Sequence, residues 1–310
     1  MNIEILIPNY NGIKLLRKNI PKLFDVINEH PEISITIIDD CSAPLEIKAL
    51  EELVDELKKR GKKINLLKNE KNLGFSSTVN KGAFASSAKI LILLNSDVVP
   101  EKGFMEHAMQ HFSDPDVFGV GCMDKSVEKN EIVLRGRGMG LWKRGFVMHQ
   151  RGEVDKSDTF WISGGSSFVR RDVFVELGGF DTIYNPFFWE DIDLSYRAKK
   201  SGWKLIFEKR SVVEHRHMEG AIKTHFTSFR IKTISYRNQF IFVWKNITDL
   251  NLILNHLLYL PYHLARALIA GDLALIYGIF LALVKFPAII IKRHSQKRKY
   301  VMSDSKILFP

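Results

Sequence analysis

Ile3-Glu4-Ile5-Leu6-Ile7-Pro8-Asn9-Tyr10-Asn11-Gly12 (IEILIPNYNG) is the stretch that decides the fold. Its first five residues form a short, mostly apolar run of β type. Pro8 to Gly12 then form a stop-and-turn cluster, and Leu16, Ile20, Leu23/Phe24 and Ile27 follow at helical spacing, with Pro21 placed to kink that helix. The cycle repeats. Ile33 to Ile38 reads as a strand, Asp39-Asp40-Cys41-Ser42 as a loop, and Leu50, Leu53, Val54 and Leu57 as a helix closed by Gly61. Ile64 to Leu67, a helix across Phe75 to Ser87 and the strand Ile90 to Leu94 extend the pattern. Aliphatic strands alternating with helices of ordinary length predict an α/β fold, a mostly parallel sheet with helices on both faces.

Ligands of such sheets bind beyond the carboxyl ends of the strands. Those ends are polar here: Asn9-Tyr10-Asn11, Asp39-Asp40, Asn72 to Phe75 and Asn95-Ser96-Asp97. From about Gly119 to Thr159 the alternation weakens, and mixed strands and mobile loops are expected. Past Asn246 the composition shifts to long apolar runs followed by the basic run Lys292 to Lys299. The predicted division is a catalytic domain at 1–240 and a helical, basic extension at 241–310.

At 45% hydrophobic and 26% charged residues, the 310-residue chain can bury a substantial core, which excludes global disorder. A net charge of +10 favours an anionic partner. Nucleic acid is set aside, because no recognised binding motif is present and much of the basic excess lies in the apolar tail. Cys41 and Cys122 are too few for a disulfide framework or a structural zinc site, so a reducing cytosol is expected. The N-terminus enters a strand at once with no leader pattern.

Asp97 ends a turn after an apolar strand, where a carboxylate suits a hard divalent cation, Mg2+ or Mn2+, held jointly with phosphate oxygens; a plain turn with a helix cap reads the triplet equally. Trp189-Glu190-Asp191-Ile192-Asp193 sets three carboxylates among large apolar residues, which raises carboxylate pKa values and suits a general base. The alternative there is an acidic first helical turn with Arg197 as ion-pair partner. Asp39-Asp40 can accept hydrogen bonds from a base imide or a ribose hydroxyl, or cap a helix, as Ser42 could. Gly164 and Gly165, within Ser163 to Ser166, give backbone donors free of side chains. His215 and His217 are candidates for the metal or a diphosphate.

Taken in order, ILIPNYNG (5–12), IIDDCS (37–42), NLGF (72–75), LLNSDV (93–98), VRRDVFVELGGFD (169–181) and FWEDIDLSYR (188–197) resemble the inverting glycosyltransferases of family two, of GT-A fold. The resemblance spans nearly all of residues 1 to 217. It implies a sugar moved from a nucleotide-diphosphate donor to an acceptor hydroxyl. Asp191 would be the base, with Glu190 orienting the acceptor. Asp97 and His215 would hold the metal. Pro8, Tyr10, Asn11, Asp39, Asp40, Asn72, Asn95, Ser96, Gly164 and Gly165 would line the donor site. The family's first metal-binding Asp is Asn95 here, a poorer ligand for a hard cation.

Leu273 to Val284 is too short to span a bilayer, so the apolar, basic tail is expected to lie on an anionic membrane at the cytoplasmic inner face. That place suits a glycan or lipid-linked acceptor. A dimerisation surface, hence an oligomer, is the rival reading. A sugar nucleotidyltransferase is excluded by the missing glycine-rich, basic loop after the first strand; a binding module without turnover is the non-enzymatic alternative.

Overall fold

The computed structural model describes residues 2–128, 131–215 and 226–309. The first half runs β1 (Ile3–Asn9), α1 (Ile13–Val26), β2 (Ser34–Asp39), α2 (Pro44–Lys59), β3 (Ile64–Lys68), α3 (Phe75–Ala85) and β4 (Ile90–Leu94). These four strands are parallel in the order β3-β2-β1-β4. Successive side chains face opposite sides of the sheet. Ile5 and Ile7 therefore join α1 and α2 on one face, while Leu6 joins Val79 and Ala83 of α3 on the other. Pro21 sits within α1, which continues past it.

The sheet then stops being parallel. The chain continues through β5 (Val98–Pro100), α4 (Phe104–Met109), β6 (Val117–Glu128), β7 (Glu131–Arg135), β8 (Gly138–Lys143), β9 (Phe146–Arg151), β10 (Ser166–Arg170), α5 (Arg171–Glu176), α6 (Glu190–Lys200) and β11 (Lys204–His215). β10 lies antiparallel between β4 and β6, and β11 pairs parallel with β6 and antiparallel with β5. The sheet is thus mixed: parallel where helices carry the chain over, antiparallel where β10 returns without one. β8 and β9 form a separate hairpin, so much of the stretch expected to mix strands with mobile loops is strand.

The chain closes with α7 (Ser228–Asn246), α8 (Leu250–Ile269), α9 (Leu273–Val284), α10 (Phe286–Lys297) and α11 (Asp304–Leu308). Residue 240 lies inside α7. One apolar cluster joins Phe146 of the hairpin, Trp189 and Tyr196 around α6, Phe240 and Phe242 of α7 and Ile289 of α10. Asp304 is fully buried and accepts from Lys200 at 2.8 Å and from the Tyr196 hydroxyl at 2.5 Å, tying α11 back to α6.

Candidate active site

The strand order reverses between β1 and β4, which opens a crevice at their carboxyl ends. The expected residues gather around it, with different duties. Asp39 is wholly buried, and its carboxylate accepts from Asn9 Nδ2 at 2.7 Å, Ser42 Oγ at 2.6 Å and Ser42 N at 2.9 Å. It thereby joins the ends of β1 and β2 beside Asp40. Asp40 accepts from Leu73 N, Gly74 N and Asn69 Nδ2, each at 2.8 Å, and so pins the loop that leads into α3. Asn11 adopts a left-handed φ of 51°, with its Oδ1 accepting from Ala43 N at 2.8 Å. Pro8 is half-buried at the strand end, whereas Tyr10 and Asn72 stand exposed at the rim.

Beyond β4, Asn95 N donates to Gly165 O at 3.0 Å. A Cβ on Gly165 would lie 2.4 Å from Asn95 Nδ2, so only glycine allows this approach. The Ser96 carbonyl accepts from Asn19 Nδ2 of α1 at 2.8 Å, which fixes the turn. Asp97 Oδ2 lies 3.2 Å from His215 Nε2, and the other ring nitrogen, Nδ1, lies 3.0 Å from Asp124 Oδ2. Burial opposes charge on His215, but its hydrogen bonds and charge attraction to Asp124 and Asp97 outweigh that and raise its pKa to about 9. His217 lies outside the described residues.

Across the crevice, Glu190 and Asp191 open α6. Phe188 and Trp189, immediately before, both take left-handed backbone conformations, with φ of 70° and 76°. Large residues adopt that conformation only under constraint. The constraint comes from α7: Asn238 Nδ2 reaches the carbonyls of Tyr184, Phe187 and Phe188 at 2.8–2.9 Å. Arg237 Nη2 donates to Tyr184 O at 3.0 Å and Asn185 O at 2.7 Å. Asn238 is fully buried, so Asn238→Ala leaves the Phe187 and Phe188 carbonyls without this donor, while Tyr184 O keeps Arg237, at a cost of about 1–3 kcal/mol. Misplacing the helix start should lower kcat by at least roughly tenfold. Urea unfolding together with steady-state kinetics checks this, and unchanged kcat in a folded variant would contradict it.

Asp191 is half-buried; its Oδ1 accepts from Ile192 N at 2.8 Å and its Oδ2 faces Gly164 N at 3.4 Å. Burial raises its pKa. The neighbouring Glu190 is buried, with Oε2 lacking a hydrogen-bond partner, and burial and then the Asp191 charge push its pKa up to about 8. Two adjacent carboxyls thus both hold their protons more tightly than usual, a perturbation typical of acid–base sites. The elevated pKa of Glu190 means that the folded chain binds its proton more tightly than the unfolded one. The stability it contributes is full below pH 4.5 and is lost as pH rises toward 8. Glu190→Gln cannot ionise, so its Tm should gain on wild type as pH goes from 5 to 8; parallel Tm-versus-pH curves would contradict the assignment.

The third carboxylate, Asp193, is structural. It is fully buried, and its Oδ2 accepts from Arg197 Nε at 2.7 Å. The expected Arg197 ion pair therefore forms, but with Asp193 and not with Glu190 or Asp191. Asn80 Nδ2 donates to Phe180 O and Asn80 Oδ1 accepts from Phe180 N, both at 2.8 Å, which explains the spacing between the NKG and GGF segments. Asp124 and Asn238 were not legible from sequence: one lies in a strand without clear periodicity, the other within a helix polar and apolar all round.

The sequence matches the family model for Glycosyl transferase family 2 over residues 4–178, more than half of the chain. A pre-mycofactocin glycosyltransferase of Mycobacterium tuberculosis is 24% identical over 224 residues, 70% of this chain and 43% of that protein. An N-acetylglucosaminyl-diphospho-decaprenol L-rhamnosyltransferase of the same organism is 28% identical over 49% of this chain and 58% of its own length. The chain thus spans about half the length of these relatives. Among solved structures, GalNAc-T7 with UDP, GalNAc and Mn2+ aligns with a TM-score of 0.64 at 18% identity, over 79% of this chain and 48% of that one. Mannosyltransferase PcManGT of Pyrobaculum calidifontis, in complex with GDP-Man and Mn2+, aligns at 0.57 and 13% identity over 96% and 87%.

Proposed function

The chain belongs to glycosyl transferase family 2, and from that we propose an inverting, metal-dependent transfer of a sugar from a nucleotide-diphosphate donor to an acceptor hydroxyl. The observations that carry the reading are Asp191, a carboxyl whose pKa burial raises and which faces Gly164 N, and Asp97, beyond β4, 3.2 Å from His215. The acceptor hydroxyl gives its proton to Asp191 as its oxygen attacks the anomeric carbon from the face opposite the diphosphate. The buried, protonated Glu190 adds no second negative charge beside that base. Gly164 N holds the Asp191 carboxylate, and Gly165 sets the crevice wall against Asn95.

Asp97 and His215 would hold a divalent metal once His215 gives up the proton that its raised pKa, about 9, keeps between Asp97 and Asp124. Among the described residues no group of three or more His, Cys, Asp or Glu is arranged to hold a metal, so phosphate oxygens of the donor would complete the shell. Bound there, Mn2+ or Mg2+ would neutralise charge on the departing diphosphate. Asp40 and the loop it pins, with Pro8, Tyr10, Asn11, Asn72 and Ser96, would receive the nucleotide. Relatives named for decaprenol-diphosphate and O-antigen chemistry support a lipid-linked glycan acceptor.

Nucleotide release from UDP-, dTDP- and GDP-sugars, with Mn2+ or Mg2+ and with EDTA, tests the proposal. Release from one donor that stops with EDTA is expected. If no donor releases nucleotide even with lipid-linked acceptors present, a binding module without turnover becomes the better reading.

A further inference from the structure

Helix α9 is built inside out. Ala274, Gly278 and Ala282, four residues apart, are its buried positions. A Cβ on Gly278 would lie 2.7 Å from Tyr236 Cβ and 3.1 Å from Arg237 N, so small residues bring α9 hard against α7. Its large residues point away: Leu273, Tyr277, Phe280, Leu283 and Val284 are 53–65% exposed. A helix on a watery surface has the opposite arrangement, with large apolar residues inward. Small residues at the helix contact and large ones outside are what lipid-facing helices show.

The neighbouring helices extend this face, through Leu257 and Leu258 of α8 and Ile290 and Ile291 of α10, all exposed. Scattered apolar residues are ordinary on a surface, but a contiguous face over three helices marks a docking site. Between residues 250 and 291 the only Asp, Glu, Lys or Arg residues are Arg266, Asp272 and Lys285. Asp272 is turned inward, to Lys232 and the Tyr236 hydroxyl, both at 2.9 Å. Lys297, Arg298 and Lys299 then stand exposed at the end of α10. A second copy would bring the same positive charge to the contact, whereas an anionic lipid surface complements it.

Among the described residues no single helix is long and apolar enough to cross a membrane, and α9 and α10 meet at a bend of 64°. At 12 residues, α9 is roughly 18 Å long against a hydrocarbon core of about 30 Å. The face suits seating in one leaflet. Two groups of rings, one beside the start of α6 and one reaching α9, stand three residues apart in the chain. Phe188, beside Trp189, contacts Phe187 at 4.8 Å between ring centres, Phe187 contacts Phe226 at 4.9 Å, and the nearby Phe229 contacts Tyr277 of α9 at 6.3 Å.

We propose that the outward face of α8, α9 and α10 is seated in one leaflet of an anionic bilayer, and that the two ring groups lead the lipid end of the acceptor toward Asp191. The second half rests on the transferase reading of the crevice; the first does not. Flotation of the full chain with vesicles of phosphatidylcholine, alone or with one third phosphatidylglycerol, tests the seat without donor or turnover. The wild type should float with anionic vesicles. Phe280→Glu with Leu283→Glu should cut the bound fraction at least tenfold. Lys297→Glu with Arg298→Glu, on an exposed helix end where folding is not at stake, should abolish the preference for anionic lipid. No flotation of the wild type, or flotation untouched by either pair, overturns the seat; so does a dimer in light scattering that the Phe280/Leu283 pair dissolves, which would assign the face to a second copy. For the ring path, Phe229→Ala should raise KM for a lipid-carried acceptor at least tenfold more than for a short water-soluble one, and an equal change overturns it. Absence of turnover with every acceptor removes the transferase reading and the ring path with it, and leaves the flotation result standing.

Discussion

Asp191→Asn should lower turnover by about two to four orders of magnitude while donor affinity stays within about twofold. The amide keeps the size of the carboxyl, and an acceptor remains for the Ile192 N–H that now bonds Oδ1 at 2.8 Å. What disappears is the ability to take a proton from the acceptor hydroxyl. Glu190 is not placed to replace it: loss of the Asp191 charge would lower its raised pKa, but its side chain is buried. On the proposed reading donor binding rests on Asp97 and His215, so it should survive. The kcat of both proteins, with titration of the donor nucleotide in the presence of Mn2+, measures the split. A fall in affinity matching the fall in kcat would place Asp191 in donor binding instead.

The largest stability effect is expected at Lys245. Its ammonium is fully buried, 2.7 Å from Asp181 Oδ2 and 2.7 Å from Asp193 Oδ1. Burial alone would raise the pKa of Asp193; the charges of Lys245 and then Arg197 outweigh it and hold that carboxyl below the usual range. Lys245→Met leaves two buried carboxylates short of a cation and should cost about 3–5 kcal/mol. Adding Asp193→Asn removes one of the stranded charges and should recover part of the loss. Urea unfolding of the two variants measures both, and a loss below about 1 kcal/mol for Lys245→Met would mean that Arg197 and Lys292 suffice. Because the network joins the start of α6 to α7, such a variant should also lose activity before it unfolds.

What was legible in the sequence follows from how each segment is buried. β1 and β4 are buried on both faces and read as short aliphatic runs, and α1 and α2 bury one face each, so their periods stand out. β10 is buried too but reads Ser-Ser-Phe-Val-Arg, and a strand's direction in the sheet is set by the path the chain takes to reach it, which no residue of Ser166–Arg170 records. Asp97, Asp191 and Gly165 stand out in the sequence because they lie in a turn, at a helix start and in a glycine pair, and His215 because it ends a strand. Asp39 looked alike in sequence, and only the hydrogen bonds from Asn9 and Ser42 reveal it as a tie. Asn238 and Lys245 look like surface residues of a helix, and become visible as functional supports only once α7 is seen packed against α6 and the loop before it. In α9 the sequence showed a run too short to span a membrane; its reversed packing needed Tyr236 in place beside Gly278.

The central claim is a single displacement at the anomeric carbon with Asp191 as base. The most direct measurement is the anomeric configuration of the first product formed, read from proton NMR coupling while the reaction runs. The account predicts a configuration opposite to that of the donor sugar, with product formation lost in Asp191→Asn. Retention of the donor's configuration would contradict it, because two successive displacements or front-face attack would then be required and the crevice would have to be explained by another chemistry.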